Sequence, residues 1–213
     1  QHAFTNNIFI PSDYFTILGL YNSNIKTILN DLSSENIAIH GNISNWNVSK
    51  VTDMTNLFKD ESVFNENISG WNVSKVTDMS TMFHEATSFN QPIGDWNVSN
   101  VTDISGIFNG ATSFNQDISG WNLSKVTNFT DIANMFNGAS TFITNNPSMF
   151  YNGNFIPFRY FNDLSFNDGN LKTIVDSWIG NSTNTEQLYG PITTWNVSDV
   201  TDMKNMFYEA TSF

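Results

Sequence analysis

Tryptophan recurs at Trp46, Trp71, Trp96 and Trp121 with a constant spacing of 25 residues, and Trp195 restarts the series 74 residues later. Other columns keep step with it. Asn47, Asn72, Asn97, Asn122 and Asn196 follow directly. Val51, Val76, Val101 and Val200 open a Val-Thr-Asp triplet, which becomes Val-Thr-Asn at Val126. Phe58, Phe83, Phe108, Phe136 and Phe207 form one aromatic column, and Phe64, Phe89, Phe114, Phe142 and Phe213 another. Ile43, Ile68, Ile93, Ile118 and Ile192 stand three residues before each Trp. A fixed period between about 20 and 50 residues marks a solenoid or array. One such unit cannot bury its own apolar face, so its neighbours must stack on it. The period lies in the leucine-rich-repeat range and is too short for two full helices with their turns.

Two elements are expected in each unit. Val76, Met79, Met82 and Phe83 recur at helical spacing, which predicts a short helix over 74–83 with Ser74 as its cap and Asp78 in its first turn. Phe89 and Ile93 share parity, which predicts a short strand over 89–93, paired in parallel with its equivalents. Pro92 weakens that strand, since it has no N–H to donate. From Val126 to Phe136 there are ten steps where the other units take seven. The three extra residues are expected to lengthen the helix without breaking the coil.

A longer repeat overlies the short one. At an offset of 146 residues, Phe4 falls on Phe150, Phe9-Ile10-Pro11 on Phe155-Ile156-Pro157, Tyr14-Phe15 on Tyr160-Phe161, and Asn24-Ile25-Lys26-Thr27-Ile28 on Asn170-Leu171-Lys172-Thr173-Ile174. Ile25, Ile28, Leu29 and Leu32, like Leu171, Ile174, Val175 and Trp178, follow the i, i+3, i+4, i+7 pattern of an amphipathic helix. Each helix is expected to cover the bare apolar end of the array it precedes. The chain then reads as an α/β, leucine-rich-repeat-like, right-handed solenoid of 25-residue coils in two modules. The first covers 1–142, with a leader at 1–24, a cap helix at about 25–34 and repeats over about 39–142. The second covers 143–213, with a leader at 143–170, a cap helix at about 171–180 and a first repeat at 188–213 that stops in mid-pattern.

The segment Trp71-Asn72-Val73-Ser74-Lys75-Val76-Thr77-Asp78-Met79, with Met82-Phe83, Phe89-Asn90-Gln91 and their copies, resembles the BspA-like leucine-rich-repeat surface proteins. This is the 25- or 26-residue repeat of bacterial surface lipoproteins, found also in algae and large DNA viruses. Leu171-Lys172-Thr173-Ile174-Val175 through Trp178 to Tyr189-Gly190 resembles the leader that opens such arrays. The resemblance covers 25–142 and 171–213. It implies a leucine-rich-repeat-like fold, exposure at a surface, and adhesion or recognition.

Charge narrows the partners. A net charge of −12, with eight Lys plus Arg, argues against nucleic acid and against an anionic membrane surface. No run of about 18 apolar residues is long enough to span a bilayer. The chain has no cysteine, so thiolate chemistry and disulfides are excluded. His2, His40 and His84 are scattered without metal-ligand spacing, and no cofactor loop is present. Asp53, Asp78, Asp103 and Asp202 occur once per unit, whereas catalysis needs a unique constellation. No enzyme, metal or cofactor is expected. The Trp column (Trp46, Trp71, Trp96, Trp121, Trp195) is expected in the core, and the Asn after each Trp in a ladder that satisfies turn backbone.

Binding is expected at outward positions of the strand face, which are mostly amides: Asn65, Asn67, Asn90, Asn115 and Asp117. Sequons are frequent, and Asn181, Asn42 and Asn67 are the candidate glycosylation sites. The chain is expected to be an extracellular, cell-surface module that binds a protein or glycan. The alternative is a structural part of a filament, fibre or virion surface, with copies of itself as partners.

Overall fold

In a computed structural model, which describes residues 20–30, 42–126, 128–161 and 166–208, the units stack one on the next through their backbones. Alternate N–H groups are shared between a unit and its neighbour. In the second unit Met79, Thr81, Phe83 and Glu85 donate to Asp103, Ser105, Ile107 and Asn109 of the third, at 2.7–2.9 Å. The residues between them turn inward: Met82, His84 and Ala86 donate to Met79, Thr81 and Phe83 of their own unit. Met54, Asn56, Phe58 and Asp60 of the first unit repeat the pattern against the second. Thr77 donates to the Thr52 carbonyl through both its N–H and its hydroxyl, and Thr102 does the same to Thr77.

This arrangement differs from the expected helix and strand. In the first three units the stretch equivalent to 74–83 is a run of four-residue turns, closed by N–H groups bonded to the carbonyl three residues back. The apolar spacing there, Val76, Met79, Met82, has a period of three, which suits such turns better than a helix of 3.6 residues. Left-handed residues at Thr81 (φ 53°) and Glu85 (φ 57°) break any helix, and Gly106 and Gly110 take the same places one unit on. The parallel pairing is found here too, with bridges Asp53↔Asp78 and Asp78↔Asp103. At 89–93 no strand forms. The Asn90 N–H donates to the Asn65 side chain at 2.9 Å in place of a neighbouring backbone.

Side chains stack with the same register. Phe58, Phe83, Phe108 and Phe136 form a column with ring centroids 5.6–5.8 Å apart. Phe64, Phe89, Phe114 and Phe142 form a second at 5.9–6.3 Å. Within each unit the two columns touch at 3.8–3.9 Å. Trp46, Trp71, Trp96 and Trp121 are buried, and each indole N–H from Trp71 on donates to an Ile carbonyl of the preceding unit: Ile43, Ile68 and Ile93. Trp195 is half-buried and stacks on Phe166 at 4.8 Å. The Asn column works within its own unit, not between units. Asn47, Asn72, Asn97, Asn122 and Asn196 accept from the N–H two residues ahead.

The fourth unit absorbs its three extra residues by making a helix where the others have none. Helix α2 (Phe129–Ala133) replaces two rungs of the ladder. The ladder then resumes with Phe108 N–H to Met135 and Gly110 N–H to Asn137.

Both array starts are closed by an equivalent side chain. Helix α1 (Asn22–Asn30) buries Ile25 against the first unit. Asn22 Oδ1 accepts from the Thr52 and Asp53 N–H groups at 2.8 and 3.1 Å, and its amide donates to Thr52 Oγ1 at 2.8 Å. At the 146-residue offset stands Asp168. Its Oδ1 accepts from Thr201 and Asp202 N–H at 2.7 and 3.0 Å, and its Oδ2 accepts from the Thr201 hydroxyl. The threonine hydroxyl is an acceptor beside Asn22 and a donor beside Asp168, so one geometry serves an amide and a carboxylate. Helix α4 (Leu171–Gly180) then buries Leu171, Ile174 and Val175 beside Phe166 and Met206. Helix α5 (Ser182–Tyr189) follows it. The first leader up to residue 19, the cap helix beyond residue 30, His2, His40 and Phe213 lie outside the described residues.

Two predictions arise from this packing. Phe83→Ala removes a ring stacked on both sides and is expected to lower stability by about 3–5 kcal/mol in denaturant unfolding. Hydrogen bonds from Thr201 and Asp202 hold the Asp168 carboxyl below its ordinary value of 3.8. Its contribution is therefore fully present above that value and is lost as pH falls through the lower folded-state pKa. Asp168→Asn, which copies Asn22, is expected to keep the cap and flatten this part of the acid dependence of melting. Asp168→Ala is expected to lower the melting temperature at neutral pH.

Candidate functional site

The first array ends in a different kind of surface. After Phe142 the chain enters helix α3 (Ser140–Asn145), a single turn at Pro147–Met149, and a two-stranded hairpin, β1 (Phe150–Tyr151) and β2 (Asn154–Phe155). The hairpin and the turn after it bring Phe155, Tyr160 and Phe161 onto the last unit. These rings meet the aromatic columns edge-on: Phe155 lies at 82° to Phe136, and Tyr160 at 84° to Phe142. Edge-to-face packing terminates a parallel stack without offering another face to continue it.

Between this cap and the last turns of the array lies a cleft of about 540 Å³. Asn115, Gln116, Asp117 and Ser119 line it from the third and fourth units, Phe142, Asn145 and Asn146 from helix α3 and its end, and Met149 and Tyr160 from the cap. The Tyr160 hydroxyl fixes the corner. It accepts from the Ile118 N–H at 2.9 Å and lies 3.3 Å from Asp117 Oδ1, to which it donates. Burial pushes this hydroxyl up to about 12; the Ile118 N–H opposes the rise and the Asp117 carboxylate adds to it. The hydroxyl therefore stays protonated and keeps donating at every physiological pH. The Ser119 N–H holds the Asp117 carboxyl below its usual range, so the acceptor stays ionised.

The polar face divides here. Asn65 Oδ1 accepts from the Asn90 N–H and the Gln91 amide, and Asn90 Oδ1 from the Asn115 N–H and the Gln116 amide. Those two asparagines are inter-unit rungs. In the fourth unit Ile143-Thr144 occupies the place of Asn115-Gln116, and the Ile143 N–H donates to the Ala139 carbonyl at 3.0 Å and so does not bond the next rung. Among the described residues no hydrogen bond engages the Asn115 side chain, and it opens into the cleft. Asn67 and Asp117 each accept from the N–H two residues on, in Ser69 and Ser119. Of the five predicted face residues, the structure brings Asn115 and Asp117 to one site and places Asn65, Asn67 and Asn90 in the frame behind it. Gln116, Asn145, Asn146 and Tyr160 were missed. The sequence signal for them is the point where the 25-residue period gives way to the leader.

The sequons sit in turns and caps. Asn42 accepts from Ser44 N–H, and Asn181 caps helix α5 through Asn184 N–H at 3.1 Å; both are exposed, as is Asn67. The Val-Thr-Asp carboxylates bond their own turns, Asp53 to Thr55, Asp78 to Ser80 and Asp103 to Ser105. Among the described residues no cluster of His, Asp and Glu has the arrangement to hold a metal ion. No described helix is long and apolar enough to cross a membrane.

Interlocked units with side-chain caps define a tandem-repeat protein. The chain belongs to the family described as a Mycoplasma protein of unknown function, DUF285, which matches residues 24–151 and 165–213. That family is related to the BspA-like repeat proteins. The matched segments leave out 152–164, the stretch that closes the first array. No curated protein and no solved structure matches the chain.

The different engagement of the three rungs leads to a stability test. Asn65→Ala and Asn90→Ala each remove an acceptor from an N–H and an amide of the next unit, and are expected to cost about 0.5–1.5 kcal/mol. Asn115→Ala is expected to leave the melting curve within about 0.5 kcal/mol of the parent, as for a surface change away from such features.

Proposed function

We propose that the chain is a leucine-rich-repeat-like solenoid of the BspA-like kind, displayed at a cell surface, and that it works by recognition without catalysis. The observation that carries this reading is the cleft at the end of the first array. It combines an unengaged carboxamide at Asn115, an ionised and oriented carboxylate at Asp117, and the apolar side chains of Phe142 and Met149. Such a lining offers hydrogen-bond donors and acceptors beside apolar contact, which suits a sugar or a polar stretch of protein. The acidic chain and the repeated sequons agree with an exposed, extracellular setting.

A structural role in a filament or virion surface is the second reading. The backbone ladder that locks each unit to the next favours it, because such a stack can serve as a spacer.

Recognition is tested by probing glycan and cell-surface protein arrays with the 213-residue chain and its Asn115→Ala variant. Retention of a ligand by the parent, weakened about five- to tenfold in the variant, is the expected outcome. A parent chain that retains nothing on either array would remove the recognition reading.

A further inference from the structure

The rungs at Asn65 and Asn90 show what the rung at Asn115 is built to bond. Asn65 accepts the Asn90 N–H on its side-chain oxygen, and the Gln91 amide donates to both that oxygen and the Asn65 carbonyl. Asn90 receives the Asn115 N–H and the Gln116 amide in the same way. Each rung thus takes one backbone N–H and then a carboxamide on the next side chain. Asn115 offers the same pair of oxygens, and among the described residues no hydrogen bond reaches its side chain or its carbonyl. Helix α3 has carried the chain away, with the Ile143 N–H turned back to Ala139, and the cleft opens on that side of Asn115 and Gln116.

Two residues on, the column Asn67, Pro92, Asp117 ends in a carboxylate. Its turn does not require the charge. Asn67 accepts from the Ser69 N–H and hydroxyl at 3.0 and 2.7 Å with an amide oxygen. Asp117 does the equivalent work with Oδ1 alone, which takes the Ser119 N–H at 2.9 Å and the Tyr160 hydroxyl at 3.3 Å. Among the described residues no hydrogen bond engages Asp117 Oδ2, and no basic side chain lines the cleft. The charge is surplus to the fold and borders a cavity of about 540 Å³, large enough for a ligand.

We propose that the cleft takes an extended peptide that runs parallel to the units and supplies the missing rung. Its backbone N–H meets Asn115 Oδ1, a carboxamide side chain on the next residue meets the Asn115 carbonyl, and a lysine in the third place meets Asp117. Main-chain bonds give such a strand its affinity and the flanking side chains its specificity. The bond from an ammonium to Asp117 is charge-assisted and stronger than a neutral one. This ligand class rests on the recognition reading and narrows it.

Isothermal titration of the 213-residue chain with the peptide acetyl-Ser-Asn-Gln-Lys-Ser-amide tests it. Binding is expected. N-methylation of the peptide's asparagine, which removes the rung N–H, is expected to weaken it about five- to tenfold. In Asn115→Ala the same methylation is expected to cost little more, because the bond it removes is already gone. Asp117→Asn, which copies Asn67 and keeps the turn, is expected to weaken the lysine peptide about tenfold and to leave its norleucine counterpart unchanged. A parent chain that does not bind the peptide, equal binding of the N-methylated form, or equal loss of the lysine and norleucine peptides in Asp117→Asn would each overturn the proposal. Retention of a glycan through Asn115 by a chain that binds no peptide would overturn it and leave recognition standing. A chain that binds no peptide and retains nothing on the arrays would remove both.

Discussion

Across residues 79–85 and their equivalents in the first unit, every second backbone N–H leaves its own turn to find a carbonyl of the next unit. A peptide group buried without a partner is costly, so a unit with half of these donors pointing outward is incomplete alone. The residues between them close four-residue turns within the unit, and this alternation fixes the register between neighbours. Shifting one unit by a single residue would swap the inward and outward sets. The aromatic columns follow from that register. Phe83 meets Phe58 and Phe108 because Phe83 N–H meets the Ile107 carbonyl.

Such a ladder makes its two ends unlike each other. At the starting edge the N–H groups of Thr52 and Thr201 have no earlier unit's carbonyl to meet, and Asn22 and Asp168 accept from them with two different functional groups. The finishing edge bares the faces of flat rings. It is closed by rings set edge-on, with the Tyr160 hydroxyl taking up the Ile118 N–H. The cleft is a by-product of that closure. Where the chain abandons its period to build the cap, the Asn65–Asn90–Asn115 rung series stops, and its last member has no successor to bond.

The element assignments show where sequence reasoning stopped. The spacing of Val76, Met79, Met82 and Phe83 was legible as one buried stripe, and all four are buried. At about 100° per residue the same four positions fall within about 120° of arc, so their spacing suits one face of a helix as well as a run of turns. Thr81 and Glu85 gave no warning, since neither residue type favours the left-handed region they occupy. Likewise Phe89 and Ile93 are both buried, but the backbone between them bonds through Asn65, an option that alternation of side chains does not reveal.

From the sequence alone came the period, the burial of Trp46, Trp71, Trp96 and Trp121 and of Phe58, Phe83, Phe108 and Phe136, the 146-residue offset, and the candidacy of Asn115 and Asp117. These depend on which residue types recur and at what interval, and a repeat prints that interval directly in the chain. Only the tertiary structure decided which N–H groups turn inward, that the three-residue insertion makes a helix, and that Tyr160 reaches back over 42 residues to Ile118. Those outcomes depend on what the neighbouring unit offers each backbone group, and a neighbour's carbonyls have no side-chain signature to read.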